Sequence, residues 1–190
     1  MLKDTKTYHK LITAAAACFA EKGFNATSVR EIATRAGISQ GAMYTYFKSK
    51  DELIKAIVLE EQNSALIAHD EPCTGSYFDR ICRQVASCIS DVGYPVTHHL
   101  WIEIMAESAR NSDLQKTFIS SDKMMRKSIA GIIEEGIAAG EFRRNLNPEE
   151  ITVILFAFID GLIARKAINP DFSFDRDVPA FSELMAKILC

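Results

Sequence analysis

No two cysteines of this chain stand in a C-x-x-C pair, and their number is odd: Cys18, Cys73, Cys82, Cys88 and Cys190. That pattern argues against a disulfide framework and against a zinc site, and a reducing cytoplasm is the simplest compartment. No run approaches the roughly 18 consecutive apolar residues of a membrane span. The opening MLKDTKTYHK lacks the apolar core of a signal peptide. Strand-like alternation is nearly absent, and there is no low-complexity run and no convincing repeat. No nucleophile–base constellation, metal-ligand spacing or phosphate loop is present, so neither an enzyme nor a bound metal or cofactor is expected. One further absence is local. The stretch 39-SQGAMYTYFKSK-50 has no acidic residue, keeps a glycine, and crowds aromatics against lysines.

What is present defines a soluble globular chain. It has 190 residues, 48% hydrophobic and 25% charged, enough for one large domain or two small ones burying roughly two thirds of the unfolded surface. The net charge of −3 is unevenly spread. Residues 1–55 hold nine Lys/Arg against five Asp/Glu, a net of +4, and residues 56–190 hold 13 against 20, a net of −7. A basic head on an acidic body points to a polyanion met by the head alone.

Every long segment reads as helix, so the expected class is all-α with about nine helices. Leu11, Ile12, Ala15, Ala16 and Phe19 form an apolar stripe on a first helix over about 5–22, which Gly23 ends. Ser28-x-x-Glu31 is a capping box opening a second helix, Gly37 stops it, and Ser39 caps a third. Ser49 caps a fourth, with Asp51 and Glu52 in its first turn. Five longer helices are expected over about 75–92, 96–110, 112–139 (capped by Ser112), 148–167 (Asn147 cap, Pro148 at N1) and 178–189 (Asp177 cap). A break is placed near 68-AHDEPCTG-75. The domains are read as 1–55 and 56–190.

The second and third helices are joined by 36-AGIS-39, a glycine turn of the helix-turn-helix kind. In that motif the second helix enters the major groove. On a wheel of about 100° per residue with Met43 at zero, Phe47 lies about 40° away, so that side faces the core. Gly41, Tyr44 and Thr45 fall on the other side. A glycine lets the backbone approach base edges, and Gln40 and Thr45 can bond bases. Tyr44 and Tyr46 can reach phosphates, and Lys48 and Lys50 stand where a phosphate would also meet free helix N–H groups. The same aromatic run also suits plain core packing, and Phe47 is read as core.

Residues 12–53 resemble the DNA-binding domain of the TetR (tetracycline repressor-like) family. The resemblance rests on Ile12, Ala15, Ala16, Phe19, 23-GFNATSVREIATRAGIS-39 and 41-GAMYTYFKSKDEL-53, about ten positions over forty residues without a gap. It implies that Ser39, Gln40, Gly41 and Thr45 read bases. It implies phosphate contacts from Tyr44, Tyr46 and Lys50, and from Thr27 or Ser28 and Arg30. It further implies a homodimer on a double-stranded, palindromic operator and a small-molecule effector bound by the carboxy-terminal domain. A ligand-released repressor is the expected function. The competing reading is a helical adaptor that docks an acidic protein or surface through its basic head.

Outside that motif the residues speak less directly. The segment 151-ITVILFAFIDGLIARKA-167 is apolar on nearly all faces, which suits a core helix and also a dimer interface. Phe156, Ile159, Gly161, Ile163, Phe181, Leu184 and Met185 are the interface candidates. In 98-HHLWIEIMAESAR-110, Trp101 and Met105 suit either core or a ligand cavity. Phe78, Cys82, Val85 and Met124 or Met125 are open to the same two readings.

Overall fold

The computed structural model describes residues 5–69 and 75–190. Over them run nine helices: α1 Thr5–Lys22, α2 Val29–Arg35, α3 Gln40–Met43, α4 Lys50–His69, α5 Tyr77–Ser90, α6 His98–Ser108, α7 Ser112–Ala138, α8 Pro148–Ile168 and α9 Phe174–Leu189. Most of the expected break at 68–75 lies outside the described residues, as does Cys73. No helix among the described residues is long and apolar enough to cross a membrane.

The local signals act as their chemistry requires. α1 ends at Gly23, whose φ of +79° few other residues adopt cheaply. Ser28 Oγ accepts the Glu31 N–H while the Glu31 carboxylate accepts the Ser28 N–H, closing the capping box of α2. Asn147 Oδ1 takes the Glu149 and Glu150 N–H groups at the start of α8, with Pro148 behind it.

Two helix starts differ from expectation. Asn111, not Ser112, caps α7, because its Oδ1 accepts from the Asp113 and Leu114 N–H groups. α9 begins at Phe174 and runs through Pro179. Its first turn closes ahead of the proline: Asp177 N–H donates to Ser173 O at 2.8 Å, and the Asp177 carboxylate accepts the Ser173 N–H.

The chain forms two compact units, each drawn from two stretches of the sequence. The first holds residues 5–64 and Gly93–Ser121; the second holds Ala65–Val92 and Asp122–Cys190. The first unit keeps α4 through Ser64 and recruits α6 with the start of α7. Side chains far along the chain explain this. Asn111 Nδ2 donates to Asp51 Oδ1 at 2.7 Å, and Phe24 N–H donates to Glu103 Oε1 at 2.7 Å.

Leu11, Ile12, Phe19, Ile32, Met43, Leu53 and Ile54 are fully buried in the first unit, together with Leu100 and Ile104. Each such side chain contributes about 1.5–3 kcal/mol of transfer free energy. In the second unit Ile81, Val85, Ile89, Ile133, Leu155, Ile163 and Met185 form the core. There a Cβ added to Gly136 would stand 2.4 Å from the Phe142 ring, so glycine is required by close packing.

Candidate nucleic-acid interface

The helix-turn-helix is built by α2, the turn at Gly37 and α3. Gly37 has φ +70° and donates to Thr34 O, and Ile38 N–H returns to Ala33 O, which ends α2 and redirects the chain. Ser39 Oγ then accepts the Ala42 N–H and starts α3. α3 is a single α-helical turn. Thr45 and Tyr46 continue it with tighter bonds to Ala42 O and Met43 O. Met43 and Phe47 are buried beneath it.

The outer side of this element carries Ser39, Gln40, Gly41, Tyr44 and Thr45, all exposed. Nothing lies within 4 Å of a Cβ placed on Gly41 except the Ser39 hydroxyl at its limit, so a groove edge can approach the backbone closely. Thr45 donates its hydroxyl hydrogen to Ala42 O at 2.7 Å, leaving its methyl and lone pairs outward. Tyr44 is 47% exposed, and Tyr46 is half-buried. The side-chain cations of exposed Arg30, near the start of α2, and exposed Lys48, just before α4, form no ion pair among the described residues, although the Lys48 backbone N–H donates to Glu52 Oε2 at 2.7 Å.

Three residues expected at phosphates are committed elsewhere. Thr27 is buried, and its hydroxyl serves Gly23 O and Cys18 O. Lys50 donates to Phe24 O, Thr27 O and Asn25 O at 2.7, 2.7 and 3.3 Å and lies over the Phe24 ring. An ammonium has three N–H donors, and these carbonyls use them. The Ser28 hydroxyl donates to Glu31 Oε2 within its capping box. Glu31 is itself held ionised, its pKa lowered to about 2 by the hydrogen bond from Lys22 first and by the Ser28 bonds after it.

Comparison with known proteins decides the family. The profile of the bacterial regulatory proteins, tetR family, matches residues 11–57. That of the BetI-type transcriptional repressor C-terminal domain matches residues 80–189. The chain belongs to the TetR family. It is a transcriptional regulator with an amino-terminal helix-turn-helix, and the adaptor reading gives way to that assignment. The HTH-type transcriptional regulator UidR of Escherichia coli strain K12 is 29% identical over 164 residues, which cover 83% of this chain and 80% of UidR. Salmonella enterica GusR superposes with a TM-score of 0.82 at 28% identity, covering 98% of both chains. Bacillus subtilis FadR, solved in complex with stearoyl-CoA, shares the fold: its TM-score is 0.74 at 23% identity over 95% of this chain and 96% of that one.

Beyond the TetR-family head, the expected ligand residues divide between the two units. Trp101 and Met105 of α6 are half-buried in the first, where the indole packs on Phe118 at 5.6 Å between ring centroids. In the second, α5 brings together half-buried Phe78, half-buried Cys82 and buried Val85. Burial raises the Cys82 thiol pKa, against a lesser pull from the Ser182 hydroxyl, so this is no activated thiolate. Met124 is a correction: it is 48% exposed, whereas Met125 is buried.

The expected dimer residues also need revision. Ile159, Ile163, Phe181 and Met185 are buried within their own chain, and Phe156 is half-buried. Gly161 and Leu184 are exposed. The outward stripe of α8 is instead Val153, Ile154, Ala157, Phe158 and Gly161. Sequence reasoning could not choose this face, because a helix apolar all round has no preferred side. It also missed Glu61, buried on α4 without a hydrogen-bond or ion-pair partner among the described residues.

Proposed function

We propose that this regulator acts as a homodimeric repressor that holds a palindromic operator in the cytoplasm and releases it when a small molecule binds the carboxy-terminal region. The observation that carries the reading is the outer face of α3, polar and uncharged, between Arg30 and Lys48, whose side chains form no ion pair among the described residues. Ser39, Gln40, Gly41 and Thr45 face bases. Arg30, Tyr44, Tyr46 and Lys48 face phosphates, which fix register without reading sequence.

The α8 stripe, joined by Leu184 of α9, supplies the two-fold contact. Val153, Ile154 and Phe158 are 55%, 46% and 37% exposed, which leaves large apolar side chains in water. A second copy removes that surface, and its symmetry matches a palindrome whose half-sites lie about one helical turn apart. Phe78, Cys82 and Val85 of α5 are the apolar residues favoured for the effector in the second unit. The effector acts only through its difference in affinity for the DNA-bound and free conformations.

Selection of bound sequences from random double-stranded DNA tests the reading. A palindromic consensus that binds the protein tightly, and less tightly as salt rises, is expected. Recovery of no consensus would refute operator recognition.

A further inference from the structure

The turn between α1 and α2 is gripped from two sides by side chains outside the helix-turn-helix. Glu103 of α6 accepts the Phe24 N–H at 2.7 Å, and Lys50 of α4 donates to Phe24 O at 2.7 Å. The two residues thus hold both polar ends of Phe24. Lys50 extends the grip to Thr27 O, one residue before the Ser28 cap of α2. Phe24 is buried against Phe19 of α1, with ring centroids 5.3 Å apart. Gly23 lies so close to Glu103 that an added Cβ would meet Oε1 at 3.2 Å. The carboxylate is therefore seated against the backbone, where a bond to an ionised acceptor is stronger than a neutral one. A second tie follows from the same segment: Asn111, the cap of α7, donates to Asp51 in the first turn of α4.

We propose that Glu103 is a positioning residue for DNA reading, setting through the Phe24 peptide the entry of α2 and hence the placement of α3. This rests on the operator recognition proposed above. α2 is only seven residues long; Ile32 and Ala33 bury its inner face and Glu31 and Arg35 pair with Lys22 and Glu21 of α1, while the turn at Gly37 and the segment 23–28 set its two ends. Removing the carboxylate frees the second end while leaving the chemical identity of every exposed residue of α3 unchanged. Lys50, whose N–H donors are taken up by the main-chain carbonyls of Phe24, Asn25 and Thr27, is the second arm of this clamp.

The test uses the full-length protein, the DNA consensus obtained by selection, and scrambled DNA. Glu103→Ala is expected to lower affinity for the consensus at least tenfold, with little change on scrambled DNA. Amide exchange at Phe24 should accelerate at least tenfold, and the far-ultraviolet circular dichroism should be unchanged. Glu103→Gln keeps an acceptor oxygen and is expected to stay within about threefold of wild type, which matters if the alanine variant folds poorly. Glu103→Ala and Lys50→Met losses should be less than additive, because both act on one turn. Unchanged selectivity with a freed Phe24 amide would overturn the positioning role while leaving operator recognition intact. Equal losses on both DNAs would overturn it too, since that is the mark of lost stability. A wild-type protein without selectivity would overturn both proposals.

Discussion

Helices α3 and α8 each expose a patch without acidic side chains, yet the two patches suit different partners. On α3 the exposed side chains are polar and uncharged, and Arg30 and Lys48, whose side chains form no ion pair among the described residues, flank them. On α8 the stripe Val153, Ile154, Ala157, Phe158 and Gly161 is apolar. Absence of negative charge is common to both, so it does not name the partner. The flanks do: free cations beside hydrogen-bonding groups favour a phosphate-lined groove, whereas bare aliphatic and aromatic surface favours protein.

The comparison breaks most visibly if the apolar stripe is charged. Phe158→Asp should dissociate the dimer, read by analytical ultracentrifugation, and weaken operator binding by about a hundredfold, the scale of a lost interface hot spot. An unchanged mass would remove α8 from the interface.

Burial can take in an ionisable group as well as apolar ones, and Glu61 tests that contrast. Desolvation raises its pKa from 4.5 to about 8. Below about pH 4.5 the folded and unfolded chains both keep this proton. Between about 4.5 and 8 the unfolded chain loses it first, so stability falls as pH rises. Glu61→Gln should abolish that slope and stabilise the protein by about 2–3 kcal/mol at pH 7. Urea denaturation from pH 4.5 to 8 reads it, and parallel curves for the two proteins would rule out the buried acid.

Two smaller effects separate folding from recognition. Gly136→Ala forces a methyl into the Phe142 ring and should cost about 1–3 kcal/mol, lowering Tm without changing DNA selectivity. Ser28→Ala removes the capping box and should cost about 1 kcal/mol. An unshifted Tm in either variant would show that the corresponding contact is dispensable.

Much of this architecture was legible because it depends on neighbours in sequence. The bounds of α1, the capping box at Ser28, the start of α3 at Ser39 and the Asn147-Pro148 opening of α8 are set by residues a few positions apart. The arrangement of exposed and buried residues around α3 follows from one turn of helix. Contacts between distant residues were not legible. Lys50 looks like a surface cation until its partners 23 to 26 residues away are seen, and Glu103 lies 79 residues from Phe24. On α8, where nearly every position is apolar, periodicity carried no information about which face turns outward. The proline in α9 concealed a start five residues upstream of it, made by the carboxylate of Asp177.

The claim that α3 reads bases while its flanks hold phosphates is tested most directly by comparing Gln40→Ala and Lys48→Ala on consensus and scrambled DNA across a salt series. Gln40→Ala should lower consensus binding by about 1–3 kcal/mol and leave scrambled binding nearly unchanged. Lys48→Ala should weaken both DNAs alike and reduce the salt slope by about one. Equal losses on both DNAs for both variants would contradict the division between base reading and phosphate holding.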